Sequence, residues 1–288
     1  MKVLHTIVAL LASVTLVLAA PAHAIVDGVI AGDRLANVGM LVGKSDPAGP
    51  WRWLHCSGVL VSRNVFLTAG HCVAPASDTG MQLGITLVSE VAIDQAAPFG
   101  TPIPESVNVY AGTGFAHPDF DAEALTTPET DSFDLGVVVL DTAIEGGKPA
   151  RIVEANHFNS LEQAYRGPLG IGLAGYGLTS FLPVLGAAPF DWGVRRYTTG
   201  SLGGIFPAKV TVHPAPGQIC GGDSGGPGLL VGARGLDEPL PMYASVVSSV
   251  VSFTVLSPSA LPCATASILY RLDTPQARSF LSGFVPGM

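Results

Sequence analysis

Apolar residues along most of the chain occur in short runs that glycine and proline separate, a pattern typical of an all-β protein. The runs predicted as strands are Val59–Leu67, Gly84–Val91, Val107–Tyr110, Leu135–Leu140, Gly170–Ala174, Lys209–Val212, Gly228–Val231 and Tyr243–Val255. Beyond the first residues of the chain, Gly, Pro and charged residues interrupt every apolar stretch before it reaches the length of a membrane-spanning helix. The pattern therefore predicts a protein built from many short strands.

A different pattern near the C-terminal end predicts one helix. Asp273 or Thr274 can cap its first turn, and Pro275 suits the first helical position. Four apolar residues recur at helical spacing and form one apolar face: Ala277, Phe280, Leu281 and Phe284.

The first 24 residues have the pattern of a secretory signal peptide. Lys2 precedes an apolar run over 3–20, and Ala22-His23-Ala24 then matches an A-x-A cleavage site. The alternative is a retained membrane anchor, because the run is almost long enough to cross a bilayer. We expect a leader over 1–24, which export would remove.

Charge and cysteine content narrow the function classes. The net charge is -8, and the absence of a basic run argues against binding to nucleic acid or to anionic membranes. Four cysteines in an exported chain predict two disulfides with three possible pairings. The alternative, a four-cysteine metal site, lacks the C-x-x-C spacing of such sites. No motif predicts a metal or a cofactor.

The segment Cys220-Gly221-Gly222-Asp223-Ser224-Gly225-Gly226-Pro227 indicates nucleophilic chemistry. A serine hydroxyl attacks a carbonyl efficiently only where backbone donors already face the developing oxyanion, and glycines let consecutive N–H groups turn to one point. The segment resembles the nucleophile loop of trypsin-like serine proteases, which have the chymotrypsin fold. The resemblance implies Ser224 as the nucleophile and the N–H groups of Gly222 and Ser224 as the oxyanion hole.

Two further segments resemble the same family. Leu67-Thr68-Ala69-Gly70-His71-Cys72 implies His71 as the general base, since serine needs a neighbouring imidazole to accept its proton. Asp134 opens the apolar run over 135–140 and is the expected partner of His71. Asp131 and Asp141 are competitors, but Asp131 lies in a polar loop and Asp141 at the far end of the strand. The order His, Asp, Ser is that of chymotrypsin-like enzymes.

The resemblance covers residues 25–288 and implies a fold. We expect an all-β protein of two antiparallel six-stranded barrels, with the active site between them and a C-terminal helix. The expected division is a signal peptide over 1–24, an N-terminal barrel over 25–155, a C-terminal barrel over 156–272, and a helix and tail over 273–288. The resemblance also selects the disulfides Cys56–Cys72 and Cys220–Cys263.

Substrate preference is predicted from the pocket positions of the family. Gln218 falls at the pocket base, where a carboxylate would be needed to bind arginine or lysine. Aligning the later strands places Ser248 beside the triad aspartate and places Val250 and Ile268 at the pocket walls. These assignments predict a preference for small aliphatic residues on the acyl side of the scissile bond.

The resemblance also predicts how the enzyme is activated. In the family, a new N-terminal ammonium inserts beside the aspartate that precedes the nucleophile, which is Asp223 here. Ile25 follows Ala24 directly, so removal of the leader would expose that ammonium without a further propeptide. The alternative is cleavage after Ala22, which leaves His23-Ala24 for another protease to remove.

The sequence thus predicts a monomeric serine endopeptidase that is secreted, or periplasmic if the source is bacterial, and that acts on protein or peptide substrates. Two alternatives remain open: a protease-fold binding protein without activity, and a narrow regulatory protease with one partner. Generic protein and short ester substrates distinguish them, since a binding protein cleaves neither.

Overall fold

The structure, a computed structural model, describes residues 25, 28–93, 100–164, 170–179, 192–214, 217, 219–231, 246–255 and 266–288. Strands dominate these residues, and most of them belong to two rings of six. None of the helices found there is both long and apolar enough to cross a membrane.

The first barrel is a closed antiparallel ring in which strands pair in the order β2-β3-β4-β7-β6-β5, and β5 pairs back with β2. Its strands are β2 (Val38–Lys44), β3 (Arg52–Ser62), β4 (Val65–Thr68), β5 (Gln82–Thr86), β6 (Tyr110–Ala116) and β7 (Gly136–Leu140). Every residue of β4 and almost every residue of β2 and β7 is buried. These apolar runs therefore form the core of the barrel.

The second barrel is a ring in the order β9-β10-β11-β14-β13-β12, closed because β9 also pairs with β10. Its strands are β9 (Gly170–Gly175), β10 (Arg196–Ile205), β11 (Lys209–Pro214), β12 (Pro227–Leu230), β13 (Val246–Val255) and β14 (Ala266–Arg271). Two short strands add to its outside: β1 (Val29–Ile30) pairs with β10, and β8 (Arg151–Ile152) pairs in parallel with β13.

Two closed six-stranded barrels match the chymotrypsin fold in general, so the predicted fold class is confirmed. The C-terminal helix is present as α3 (Pro275–Ser282), with the Thr274 side chain accepting a hydrogen bond from the N–H of Ala277. Two helices did not stand out in the sequence: α1 (Gly70–Thr79) and α2 (His157–Ala164). The pattern also missed β2 and β10, because glycines interrupt both runs.

A buried arginine joins the two barrels. The Arg195 guanidinium is 1% exposed and donates hydrogen bonds to the carbonyl oxygens of Val38 and Leu87 and to the Tyr176 hydroxyl, at 2.9, 3.0 and 3.2 Å. The Tyr176 hydroxyl donates in turn to the Val88 carbonyl at 2.8 Å. Burial raises the pKa of Tyr176 to about 12, against the opposing effect of Arg195. The phenol therefore stays neutral and keeps its proton to donate.

One of the expected disulfides is present: Cys56 on β3 is bonded to Cys72 on α1, with a Cα–Cα distance of 6.1 Å. Cys220 is also disulfide-bonded. Its expected partner, Cys263, lies outside the described residues, as do residues 1–24 of the expected leader.

We predict that replacing both Cys56 and Cys72 by alanine lowers the free energy of unfolding. The two cysteines are 16 residues apart, and a loop of that size corresponds to about 3 kcal/mol of lost chain entropy in the unfolded state. Urea unfolding measures the difference. A double variant within about 0.5 kcal/mol of the wild type would contradict the expected contribution of the bridge.

Candidate active site

His71 lies where strand β4 passes into helix α1. It is the second residue of α1, after Gly70, and 24% of its side chain is exposed. A Cβ atom at Gly70 would lie 3.0 Å from the backbone nitrogen of Leu135. The absence of a side chain at Gly70 therefore lets the start of α1 approach the segment that carries Asp134.

Asp134 is completely buried and is the carboxylate that contacts His71. Its Oδ1 accepts the backbone N–H of His71 at 2.8 Å, and its two oxygens lie 3.1 and 3.0 Å from Nδ1 of the ring. A carboxylate at this distance favours the tautomer with the proton on Nδ1, which leaves Nε2 as a base. Of the competitors, Asp131 accepts the N–H of Phe133, and Asp141 is exposed.

The loop before Asp134 is held from both sides. Lys209 on β11 is completely buried and donates to the carbonyl oxygens of Ala124 and Thr127, at 2.6 and 2.8 Å. Phe133, directly before Asp134, has a φ of 47°, a left-handed conformation that is costly for a bulky residue. Its ring stacks on His117 at 4.8 Å between centroids. These contacts fix the backbone from which Asp134 projects.

The serine beside Asp134 is Ser252, whose hydroxyl donates to Oδ2 of the carboxylate. The sequence assigned this position to Ser248, which was wrong by four residues. Side chains two or four residues apart share a face of a strand, so alternation alone does not distinguish the two serines. The pairing of Val250 with Pro227 in β12 sets the register, with a bulge in the adjoining ladder to β14.

The four-residue shift from Ser248 to Ser252 also affects the residues predicted to form the pocket walls. Val250 precedes Ser252 by two residues instead of following it, and it is completely buried in the core. Ile268 is also completely buried, paired with Thr211 and Phe253 in the neighbouring strands. Neither residue lines the cleft described below, so that cleft is not the predicted acyl-side pocket. Gln218 lies outside the described residues.

The segment over 220–227 forms a tight loop that needs glycine at two points. Gly222 has a φ of 97°, and a Cβ atom there would lie 2.8 Å from the Trp53 ring. Gly225 has a φ of 80°, and a Cβ atom there would lie 2.1 Å from the Thr68 hydroxyl. The loop carrying Ser224 is therefore pressed directly against the first barrel.

One cleft brings the predicted nucleophile and base together. It has a volume of about 430 Å³ and is bordered by His71, Ser224, Gly221 and Gly222. The other described residues of its wall are apolar or uncharged: Leu54, His55, Cys56, Cys72, Pro75, Ala76, Met81, Leu178 and Trp192. The His55 ring stacks on Trp53 at 4.2 Å, and burial lowers its pKa to about 4. His55 is therefore neutral at physiological pH, and no sequence motif indicated its place in the cleft.

Asp223 is a second buried carboxylate next to the nucleophile. Its Oδ1 accepts the N–H of Gly177 at 2.8 Å and its Oδ2 accepts the N–H of Cys220 at 2.9 Å. Burial raises the pKa of Asp223 to about 7 even though these two hydrogen bonds oppose the shift. Ile25 is also completely buried. The predicted ion pair between the Ile25 ammonium and Asp223 stays a prediction.

Cys56, His71 and Cys72 lie close enough together to resemble a metal-ligand set. Both sulfur atoms are consumed by the disulfide, so this group offers a metal only one ligand. His71 is therefore better explained by its contact with Asp134.

Comparison with known proteins assigns no family and no function to the chain. No protein-family model matches the chain, and no curated protein matches it significantly.

We predict that the full chain, with residues 1–24 attached, loses stability as the pH rises from about 4 to about 7. In this range the folded state holds a proton on Asp223 that the unfolded state, with an ordinary pKa, has released. Thermal unfolding across this pH range measures the effect.

Two comparisons sharpen this test. Asp223→Asn in the full chain should flatten the profile, and so should a chain that begins at Ile25, whose ammonium would stabilise the charged carboxylate. An identical pH slope in all three proteins would contradict this account of Asp223.

Proposed function

We propose that this protein is a secreted serine endopeptidase of the trypsin-like family. The observation that carries the proposal is the pairing of His71 with a completely buried Asp134 at the edge of the cleft that also contains Ser224. The two barrels and the Cys56–Cys72 bridge support it, because they are what the family resemblance implied.

The proposed reaction follows from these positions. Nε2 of His71 accepts the Ser224 proton while Oγ bonds to the scissile carbonyl carbon, and the N–H groups of Gly222 and Ser224 bind the resulting oxyanion. His71 returns the proton to the leaving amine as the C–N bond breaks. A water molecule then repeats the sequence on the acyl-enzyme, which releases the acid and restores Ser224.

Asp134 has a defined part in this scheme. It accepts a hydrogen bond from the N–H at Nδ1, keeps the ring in the useful tautomer and stabilises the imidazolium formed in each step. The Ser252 hydroxyl and the His71 backbone N–H satisfy further lone pairs of the carboxylate. These donors hold the carboxylate in place beside the imidazole.

The proposed enzyme is exported through a leader over 1–24 and is activated when the Ile25 ammonium pairs with Asp223. A binding protein without activity is the second candidate. The contacts between His71 and Asp134 favour an enzyme, because binding alone does not require an imidazole oriented by a buried carboxylate.

We predict that Ser224→Ala abolishes amide hydrolysis and labelling by a serine-reactive phosphonate while the protein still folds. Asp134→Asn should lower kcat by about 10⁴-fold, because the imidazole then takes the wrong tautomer. Asp141→Asn is the matched control and should leave kcat unchanged. Substantial amide hydrolysis by Ser224→Ala would contradict the proposed nucleophile.

The apolar cleft supports a proposal about substrates. The acyl-side pocket is expected near Gln218 and the β13–β14 side, whereas this cleft lies on the side of the Cys56–Cys72 bridge. We propose that it receives the residues on the leaving-group side of the scissile bond. The part of its wall that the structure describes carries no charged side chain, which favours apolar residues there, since a charged residue would lose water without gaining a partner.

We predict that peptide libraries are cleaved with a preference of about tenfold or more for apolar over charged residues just after the scissile bond. Trp192→Ala should weaken that preference, because Trp192 lines the cleft. Trp51→Ala is a matched control, since Trp51 lies beneath Lys44 away from the cleft. Equal cleavage before charged and apolar residues would contradict this use of the cleft.

A further inference from the structure

We propose that Ser57 is a positioning residue that orients the backbone donors of the nucleophile loop, an inference that rests on the proposed function. Ser57 follows Cys56 on β3 and is completely buried. Its backbone N–H donates to the Ser224 carbonyl at 2.7 Å, and its hydroxyl donates to the Gly222 carbonyl at 2.8 Å. One residue of the first barrel thus holds the loop at two points.

The direction of the Ser57 hydroxyl is fixed by its neighbours. Its oxygen accepts the N–H of Tyr176 at 3.0 Å, so its single proton is directed to the Gly222 carbonyl. The Ser57 carbonyl accepts the Thr68 hydroxyl at 2.8 Å, which anchors the residue to β4. Ser57 therefore links both barrels to the loop, and its hydroxyl and its carbonyl group both have hydrogen-bond partners.

The position of this bond matters because of which peptide unit it holds. The Gly222 carbonyl belongs to the peptide between Gly222 and Asp223, and that peptide lies between the two N–H groups proposed to bind the oxyanion. Gly222 has a φ of 97°, and a glycine there offers little resistance to rotation of its peptide. The hydrogen bond from Ser57 to the Gly222 carbonyl restricts this rotation, which the absence of a side chain at Gly222 leaves free.

Removal of the hydroxyl leaves the Gly222 carbonyl and the Tyr176 N–H buried without their present partner. An unsatisfied buried group is costly, so the loop would rotate toward other partners. The oxyanion donors act on charge that develops only in the transition state. The loss would therefore appear in kcat and in the binding of tetrahedral adducts, with little change in KM.

The test compares Ser57→Ala with the wild type on an amide substrate and with a peptide boronic acid, which forms a tetrahedral adduct. We expect kcat to fall by about 10- to 100-fold and boronate affinity to fall in parallel, with KM within about twofold. Ser57→Thr keeps the hydroxyl and should restore most of the activity.

Two controls on the same strand separate positioning from stability. Ser62→Ala removes a hydroxyl that contacts Asn64 and should leave kcat and stability unchanged. Val59→Ala removes buried core volume near Ser57 and should lower the melting temperature while keeping kcat. An unchanged kcat in Ser57→Ala, or an equal loss in Val59→Ala at the same folded fraction, overturns the inference.

Amide hydrogen exchange over 221–226 gives a readout that does not depend on activity. Exchange there should be faster in Ser57→Ala than in Val59→Ala, and equal exchange in the two variants overturns the inference. If the wild type neither cleaves substrate nor reacts with phosphonate at Ser224, the proposed function has failed. The exchange comparison then decides alone whether Ser57 orients the loop.

Discussion

The Asp134 carboxylate is completely buried where the two barrels meet, and burying a charge in this way costs several kcal/mol unless donors surround it. Two of the groups around it belong to His71 at the start of α1, and the third is the Ser252 hydroxyl on β13. Both barrels therefore supply hydrogen-bond donors to this one carboxylate. The hydrogen bonds to the Asp134 carboxylate therefore hold the two barrels together at the cleft and orient the imidazole at the same time.

Asp223 is also a buried carboxylate, but it has fewer hydrogen-bond donors around it among the described residues than Asp134 has. Its described partners are two backbone N–H groups, and burial still raises its pKa to about 7. A cation is the partner that would hold it ionised, which supports the proposal that an ammonium at Ile25 activates the enzyme. Ser57, on the first barrel, holds the same loop through neutral hydrogen bonds to Gly222 and Ser224. The loop would thus be ordered by one ion pair, between Ile25 and Asp223, and by the hydrogen bonds of Ser57, which do not depend on charge.

The resemblance to a known family predicted the fold class, the pairing of Cys56 with Cys72 and the contact between His71 and Asp134, because that resemblance rests on short segments with their own chemistry. They were insufficient for Ser252. Serines recur along β13, and only the pairing with β12 sets which of them reaches Asp134. The sequence patterns assigned no site role to Ser57 or His55, since each contacts a residue more than 100 positions away in the chain: Ser57 bonds to Gly222, and the His55 ring lies against Trp192.

The most direct test of the account is to trap the acyl-enzyme. The chain beginning at Ile25 is mixed with an activated ester at low pH, where the acyl-enzyme of a serine protease hydrolyses slowly, and its mass is then measured intact and after digestion. The account predicts one acyl group per protein, attached to Ser224 and lost on return to neutral pH. An unmodified protein, or an acyl group on another residue, would contradict it.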